Sequence, residues 1–121
     1  MVKILFMEDE PIFQKELKEI LEQEKFKIFS AFDGEEGLAM AKKEEPNLIL
    51  LDLILPKKDG FEVLKELKAD EKTKNIPVIV LTNLEGIGDV EKALELGATT
   101  YLVKANYKLE DVVNKVKEFL N

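Results

Sequence analysis

The stretch that most constrains the fold is Leu48-Ile49-Leu50-Leu51-Asp52-Leu53-Ile54-Leu55-Pro56, a long apolar run broken by a single acid. Bounded by Pro46-Asn47 before it and Pro56-Lys57-Lys58-Asp59-Gly60 after it, the run leaves too little room for a helix. It predicts a strand buried on both faces, which belongs in a parallel sheet covered by helices on either side. Asp52 then falls near the carboxyl end of a central strand, where open α/β sheets bind ligands in the crevice outside the strand ends. A carboxylate among leucines is costly to ionise without solvent, a cation or donors. Asp52 is therefore expected at the mouth of that crevice rather than inside it.

The rest of the chain alternates in the same way. Val2–Met7 reads as a first strand, ended by the acidic turn Glu8-Asp9-Glu10 and by Pro11, which suits the opening of a helix carrying Ile12, Phe13, Leu17, Ile20 and Leu21 at helical spacing. Phe26–Ser30 is a short second strand, and Asp33-Gly34 turns the chain into a helix through Leu38, Met40 and Ala41 that stops before Pro46. After the central strand, Phe61, Val63, Leu64 and Leu67 mark a third helix, and Asp70–Asn75 is expected to be a surface connection. Pro77–Thr82 is a fourth, β-branched strand, and Asn83–Gly88 is a glycine-bearing loop expected to be mobile. A helix from Asp89 closes at Gly97, a natural C-cap; Thr99–Val103 is the fifth strand, and Leu109, Val112, Val113, Val116, Phe119 and Leu120 line a last amphipathic helix. Five strands alternating with five helices predict an α/β fold: a doubly wound five-stranded parallel sheet with helices on both faces, for which the flavodoxin-like order 2-1-3-4-5 is expected, although spacing alone does not separate it from other doubly wound orders.

Composition narrows the chemistry. The 121 residues suit one domain, 1–121, with no output domain expected in this chain, and a charged fraction of 36% beside 45% hydrophobic residues fits a compact, charge-coated fold. The net charge of -7 disfavours direct binding to nucleic acid or to anionic membrane. There is no arginine, cysteine or histidine. Bidentate guanidinium recognition, thiolate or imidazole metal sites, cysteine nucleophiles and serine-histidine-aspartate arrangements are thereby excluded, and any bound metal must have oxygen ligands. With no signal-peptide core and no apolar stretch near ~20 residues, the expected location is cytoplasmic.

In a parallel sheet the ends of strands one, three, four and five share one rim, so Glu8-Asp9, Asp52, Thr82 and Lys104 converge. Carboxylates gathered there repel one another and call for a positive partner, which an oxygen-seeking Mg²⁺ supplies. Taken singly, each residue also has a plainer reading: Asp52 as a turn or helix-cap residue, Glu8-Asp9 as complement to a helix amino terminus, Thr82 and Tyr101 as strand packing, Lys104 as surface lysine.

Together the acidic pair, Asp52 within Asp-Leu-Ile-Leu-Pro-Lys-Lys-Asp-Gly, Thr82 and Lys104 resemble the receiver domains of bacterial two-component response regulators, chemotaxis regulators among them, over Val2 to Leu120. The resemblance implies that Asp52 is the phospho-acceptor, fed by a sensor histidine kinase, a phosphotransfer protein or a small acyl phosphate. It implies Mg²⁺ held by Asp9, Asp52 and the backbone carbonyl of Ile54, with Glu8 acting through water. Lys104 and Thr82 would contact phosphoryl oxygens, and Thr82 and Tyr101 would carry the switch to an effector at the face formed by the fourth helix, fifth strand and fifth helix. Such a chain is no enzyme toward external substrates; it catalyses only its own phosphorylation and dephosphorylation, as a monomer or weak dimer.

Two departures qualify the resemblance. Ala105 stands where the family usually has a cis proline after the lysine; because a cis bond before a non-proline costs about 3 to 4 kcal/mol, Lys104–Ala105 is expected to be trans, with the reach of Lys104 left open. Asn83 replaces a commoner small residue, and apolar Ile54 and Leu84 flank the path of a hydrolytic water, which is expected to slow loss of the phosphoryl group. Of the other readings, a haloacid-dehalogenase-type phosphatase needs an acid where Ile54 stands, a flavin or dinucleotide carrier needs a glycine- or hydroxyl-rich loop where Glu8-Asp9-Glu10 stands, and an unphosphorylated scaffold needs only the fold.

Overall fold

The computed structural model describes residues 1–120. Its elements run β1 (Lys3–Met7), α1 (Pro11–Gln23), β2 (Lys27–Ala31), α2 (Gly34–Glu44), β3 (Leu48–Leu51), α3 (Gly60–Ala69), β4 (Val78–Thr82), α4 (Ile87–Glu95), β5 (Thr100–Val103), a short 3₁₀ turn (Lys104–Asn106) and α5 (Leu109–Leu120). The strands form one sheet in the order β2-β1-β3-β4-β5, every pair parallel. The predicted doubly wound topology is the one observed.

Alternation along each strand divides the core in two. Leu5, Met7, Ile49, Leu51, Val78 and Val80 face α2, α3 and α4, whereas Ile4, Phe6, Leu48, Leu50, Ile79 and Leu81 face α1 and α5. Both faces of the central strands are therefore sealed, which is why these stretches are apolar throughout. Helix starts follow local chemistry: Pro11 opens α1, and the Asp33 carboxylate accepts from Glu36 N–H (2.8 Å) at α2. Gly97, with φ of +107°, lets the chain leave α4 in a conformation that a side chain would strain.

Several expectations are corrected. The central strand ends at Leu51, not at Leu55: Asp52 N–H still bonds the Met7 carbonyl (3.0 Å), but beyond it the chain bends away, burying Leu53 and Leu55 and leaving Ile54 53% exposed. Helix α4 begins at Ile87 rather than Asp89, because the Gly86 carbonyl accepts from both Asp89 and Val90 N–H (3.1 Å each), so Gly88 is helical. On α1 the inward stripe is Gln14, Leu17 and Leu21, and Ile12 lies outside it, 68% exposed. The tract Asp70–Asn75 is not all surface, since Thr73 is fully buried with its hydroxyl on the Leu67 carbonyl (2.7 Å).

Candidate functional site

The register of the sheet assembles the rim. Met7 pairs with Leu51, so the next residues, Glu8 and Asp52, leave adjacent strands side by side; Thr82 pairs with Val103, which puts Lys104 one step beyond it. Carboxylate oxygens of Glu8, Asp9 and Asp52 lie within 4.8 Å of one another. Lys104 reaches across to them, its Nζ 2.6 Å from Glu8 Oε1 and 2.9 Å from Asp52 Oδ2. The Lys104–Ala105 peptide is trans, and the lysine nevertheless spans the site.

Asp52 is only 4% exposed, so it sits inside the rim and not at an open mouth. The Lys104 ammonium and the Ile54 N–H, which donates to Asp52 Oδ1 at 3.1 Å, take the place of water and make the buried charge tolerable. Glu8 is buried further, at 1% exposure, with Oε2 accepting from Glu10 N–H (3.0 Å). Its Oε1 lies 2.6 Å from the Lys104 ammonium, a charge-assisted contact. Burial, reinforced by the neighbouring Asp52 charge and opposed by Lys104 and the Glu10 N–H, pushes the Glu8 carboxyl up to about 7. For Lys104 burial works against the charge, but the contacts with Glu8 and Asp52 outweigh it and hold the ammonium above its ordinary value. Asp9 is exposed at the lip.

These donors fit a hard divalent cation. All are oxygens, and three carboxylates share the rim with the Lys104 ammonium, a donor set of the kind that hard cations take.

The loop after Asp52 is fastened on several sides. Lys57 has φ of +66°, with Lys58 N–H bonded to the Pro56 carbonyl (2.7 Å), making a tight three-residue turn. The same Pro56 carbonyl accepts from Gly34 N–H (3.2 Å), and Lys57 Nζ lies 3.6 Å from Asp33. Gly60 is required: a Cβ there would collide with the Leu53 Cα and stand 2.5 Å from the Asp52 carbonyl oxygen.

On the other side, Thr82 is fully buried and its Oγ1 accepts from Leu84 N–H at 3.4 Å, while the half-buried Tyr101 hydroxyl donates to the Leu84 carbonyl at 2.8 Å. Leu84, two residues after β4, is thus held by two side chains named in the sequence. Burial, then the charges of Asp89 and Asp52, raise the Tyr101 hydroxyl's pKa.

Two residues escaped the sequence reading. Gln14, 2% exposed, donates from Nε2 to the carbonyls of Phe6 and Glu8 (both 3.2 Å) and accepts at Oε1 from Ser30 Oγ (3.1 Å), tying α1 to the ends of β1 and β2. Its spacing with Leu17 and Leu21 was the available signal: a polar residue on the inward stripe of a helix needs buried partners. Phe13, read only as helix packing, lies under the Lys104 ammonium, 4.6 Å from ring centroid to Nζ.

Comparison with known proteins agrees with this arrangement. The family model described as response regulator receiver domain matches residues 4–117. Among relatives, the DNA-binding dual master transcriptional regulator RpaA of Synechocystis is 38% identical over 99% of this chain and 49% of its own length, so the chain spans about half of that relative. Sporulation initiation phosphotransferase F of Bacillus subtilis is 33% identical over 98% of this chain and 93% of its own. Among solved structures, the Mn(2+)-bound form of response regulator Rcp1 superposes with a TM-score of 0.80 at 36% identity, covering 98% of this chain and 91% of the other.

Proposed function

The chain belongs to the response regulator receiver domain family, and from that premise we propose that it is a phosphorelay switch whose phospho-acceptor is Asp52. The observation carrying the proposal is the gathering of Glu8, Asp9, Asp52 and Lys104 on one rim, with Asp52 tied to the ammonium and braced by the Ile54 N–H. An Asp52 oxygen attacks the phosphorus of a sensor kinase or phosphotransfer-protein phosphohistidine, or of an acyl phosphate; the P–N or P–O bond breaks, and the electron pair leaves with the imidazole or the carboxylate. Lys104 pairs with one phosphoryl oxygen and the Thr82 hydroxyl donates to another. A loose transition state of this kind asks the protein for alignment and charge balance more than for covalent help.

Asp9, Asp52 and the Ile54 carbonyl would hold Mg²⁺, with Glu8 acting through water, and the ion would supply charge that neutralises the crowded carboxylates and the incoming phosphoryl group. The Mn(2+)-bound relative supports a divalent cation here, and the oxygen-only donors favour Mg²⁺ or Mn²⁺ over softer metals. When Thr82 turns toward the phosphoryl group it releases Leu84 N–H, and the Leu84–Tyr101 bond passes the change to α4, β5 and α5. Ile87 and Leu94 on α4 are exposed and available to an effector, while Val112 packs in the core. The chain acts as one cytoplasmic receiver unit, without direct binding to nucleic acid or membrane and as a monomer or weak dimer; among the described residues no helix is long and apolar enough to cross a membrane.

Incubation with acetyl phosphate and Mg²⁺, read by intact mass, tests the reading. A single phosphoryl adduct, absent from Asp52→Asn and from the chelated protein, is expected; no adduct on the unaltered chain would leave an unphosphorylated scaffold in its place. Ile54, exposed beside Asp52, and half-buried Leu84 offer an attacking water no polar partner. Replacing both by Asn or Gln is expected to shorten the phosphoryl lifetime about tenfold or more, measured by decay of the adduct mass.

A further inference from the structure

We propose that Phe13 is a positioning residue for Lys104: the face of its ring, and not the backbone following the lysine, joins Glu8 and Asp52 in holding the ammonium above the site. The geometry is direct. Lys104 Nζ lies 4.6 Å from the Phe13 ring centroid, in a side chain only 10% exposed, where the attraction of a cation to an aromatic face is least screened by water.

The ring is itself held. Phe13 meets Phe6 in a T-shaped pair with centroids 6.0 Å apart and planes at 69°, and Phe6 is fully buried on β1, two residues before Glu8. The backbone on the far side of the lysine offers less. Ala105 and Asn106 are exposed residues of a short 3₁₀ turn, Lys104–Ala105 is trans, and the turn closes on a long bond, Tyr107 N–H to the Lys104 carbonyl at 3.3 Å. No proline ring restrains the chain there, so the side chain's four-carbon stem must be guided from elsewhere.

Glu8 and Asp52 guide it in the resting molecule. These are the carboxylates that the proposed function turns toward a cation and a phosphoryl group, and in its consequences for phosphorylation the inference rests on that reading. When they are engaged, the aromatic face is a contact that neither ligand consumes. Phe13 therefore keeps the ammonium in reach of a phosphoryl oxygen through the transfer, an orientation effect that lowers the barrier without the residue touching a reacting atom.

The test uses the full chain and the variants Phe13→Leu, Phe13→Tyr, Lys104→Met and Phe13→Leu with Lys104→Met. With acetyl phosphate and saturating Mg²⁺, Phe13→Leu is expected to lower the phosphorylation rate constant about fivefold to tenfold, and Phe13→Tyr, which keeps the ring, to restore it within about twofold. In the Lys104→Met background the same Phe13→Leu change is expected to alter the rate less than about twofold, because the group it positions is gone. An equal loss in both backgrounds would reduce Phe13 to packing and overturn the proposal. A second readout needs no phosphorylation: ¹⁵N relaxation of the Lys104 Nζ in the metal-free protein should report greater side-chain motion in Phe13→Leu but not in Phe13→Tyr, and an unchanged Lys104 signal in Phe13→Leu also overturns it. If the unaltered chain accepts no phosphoryl group, the signalling reading fails while the relaxation measurement still decides the role of Phe13. Should Phe13→Leu not fold, Phe13→Met, of similar bulk and without a ring, takes its place with the same expected outcomes.

Discussion

Glu8 is a carboxylate with almost no water around it, and its charge leans on one ammonium and one backbone N–H. Raised from 4.5 to about 7, it holds a proton in the folded protein that the unfolded chain has already released. The contribution of Glu8 to folding stability is thus fully present below the lower of these values and is lost as pH climbs through the interval toward 7. The urea midpoint of the metal-free protein should fall across that interval, and Glu8→Gln should flatten the dependence. Gln14 makes the complementary case. Gln14→Leu keeps the bulk but strands the Phe6 and Glu8 carbonyls, and should cost about 1 to 3 kcal/mol in denaturant unfolding, with weakened divalent binding because Glu8 loses its backbone anchor. The gathering of Asp52, Glu8, Asp9 and Lys104 was legible in the sequence because each directly follows an apolar strand, and parallel strands put such positions on one edge. Gln14 and Phe13 were not, because helical spacing says which way a side chain faces and says nothing of the carbonyl or ammonium it meets there.

At the scale of elements, the loop from Asp52 to α3 shows local chemistry fixing a site. Asp59 caps α3 by accepting from Phe61 and Glu62 N–H (2.9 and 3.1 Å), and Gly60 lets that helix start directly against the Asp52 backbone. Asp59→Ala should lower stability by about 1 kcal/mol in thermal or urea unfolding. Most elements could be read from spacing and punctuation, as with Pro11 opening α1 and Gly97 following α4. The length of β3 could not: Leu53 and Leu55 are as apolar as the strand before them, yet they are buried by a bend anchored on Gly60 N–H and the Leu53 carbonyl (2.8 Å), a contact between residues seven apart that no period-two or helical pattern reveals. Helix α4 was likewise drawn too short, since the second glycine of its approach looks like loop until the Gly86 carbonyl is seen to accept the first helical bonds.

For the molecule as a whole, an all-parallel sheet sealed by helices on both faces forces its polar chemistry to one rim, and strict alternation of strands and helices made that architecture readable before any coordinate. Sheet order and burial follow from apolar patterning; side-chain pairings across the rim depend on angles and distances that patterning does not encode. The chain carries a net charge of -7, and three of its acids are crowded into one spot beside a single ammonium. That ammonium is a tethered competitor for any free divalent ion. Lys104→Met should therefore tighten Mg²⁺ or Mn²⁺ binding several-fold in titration calorimetry while slowing phosphoryl uptake, two effects of opposite sign from one substitution. Lys104 is a counter-ion carried on the chain itself, so a metal arriving from solution would win its place by eviction rather than by simple attraction.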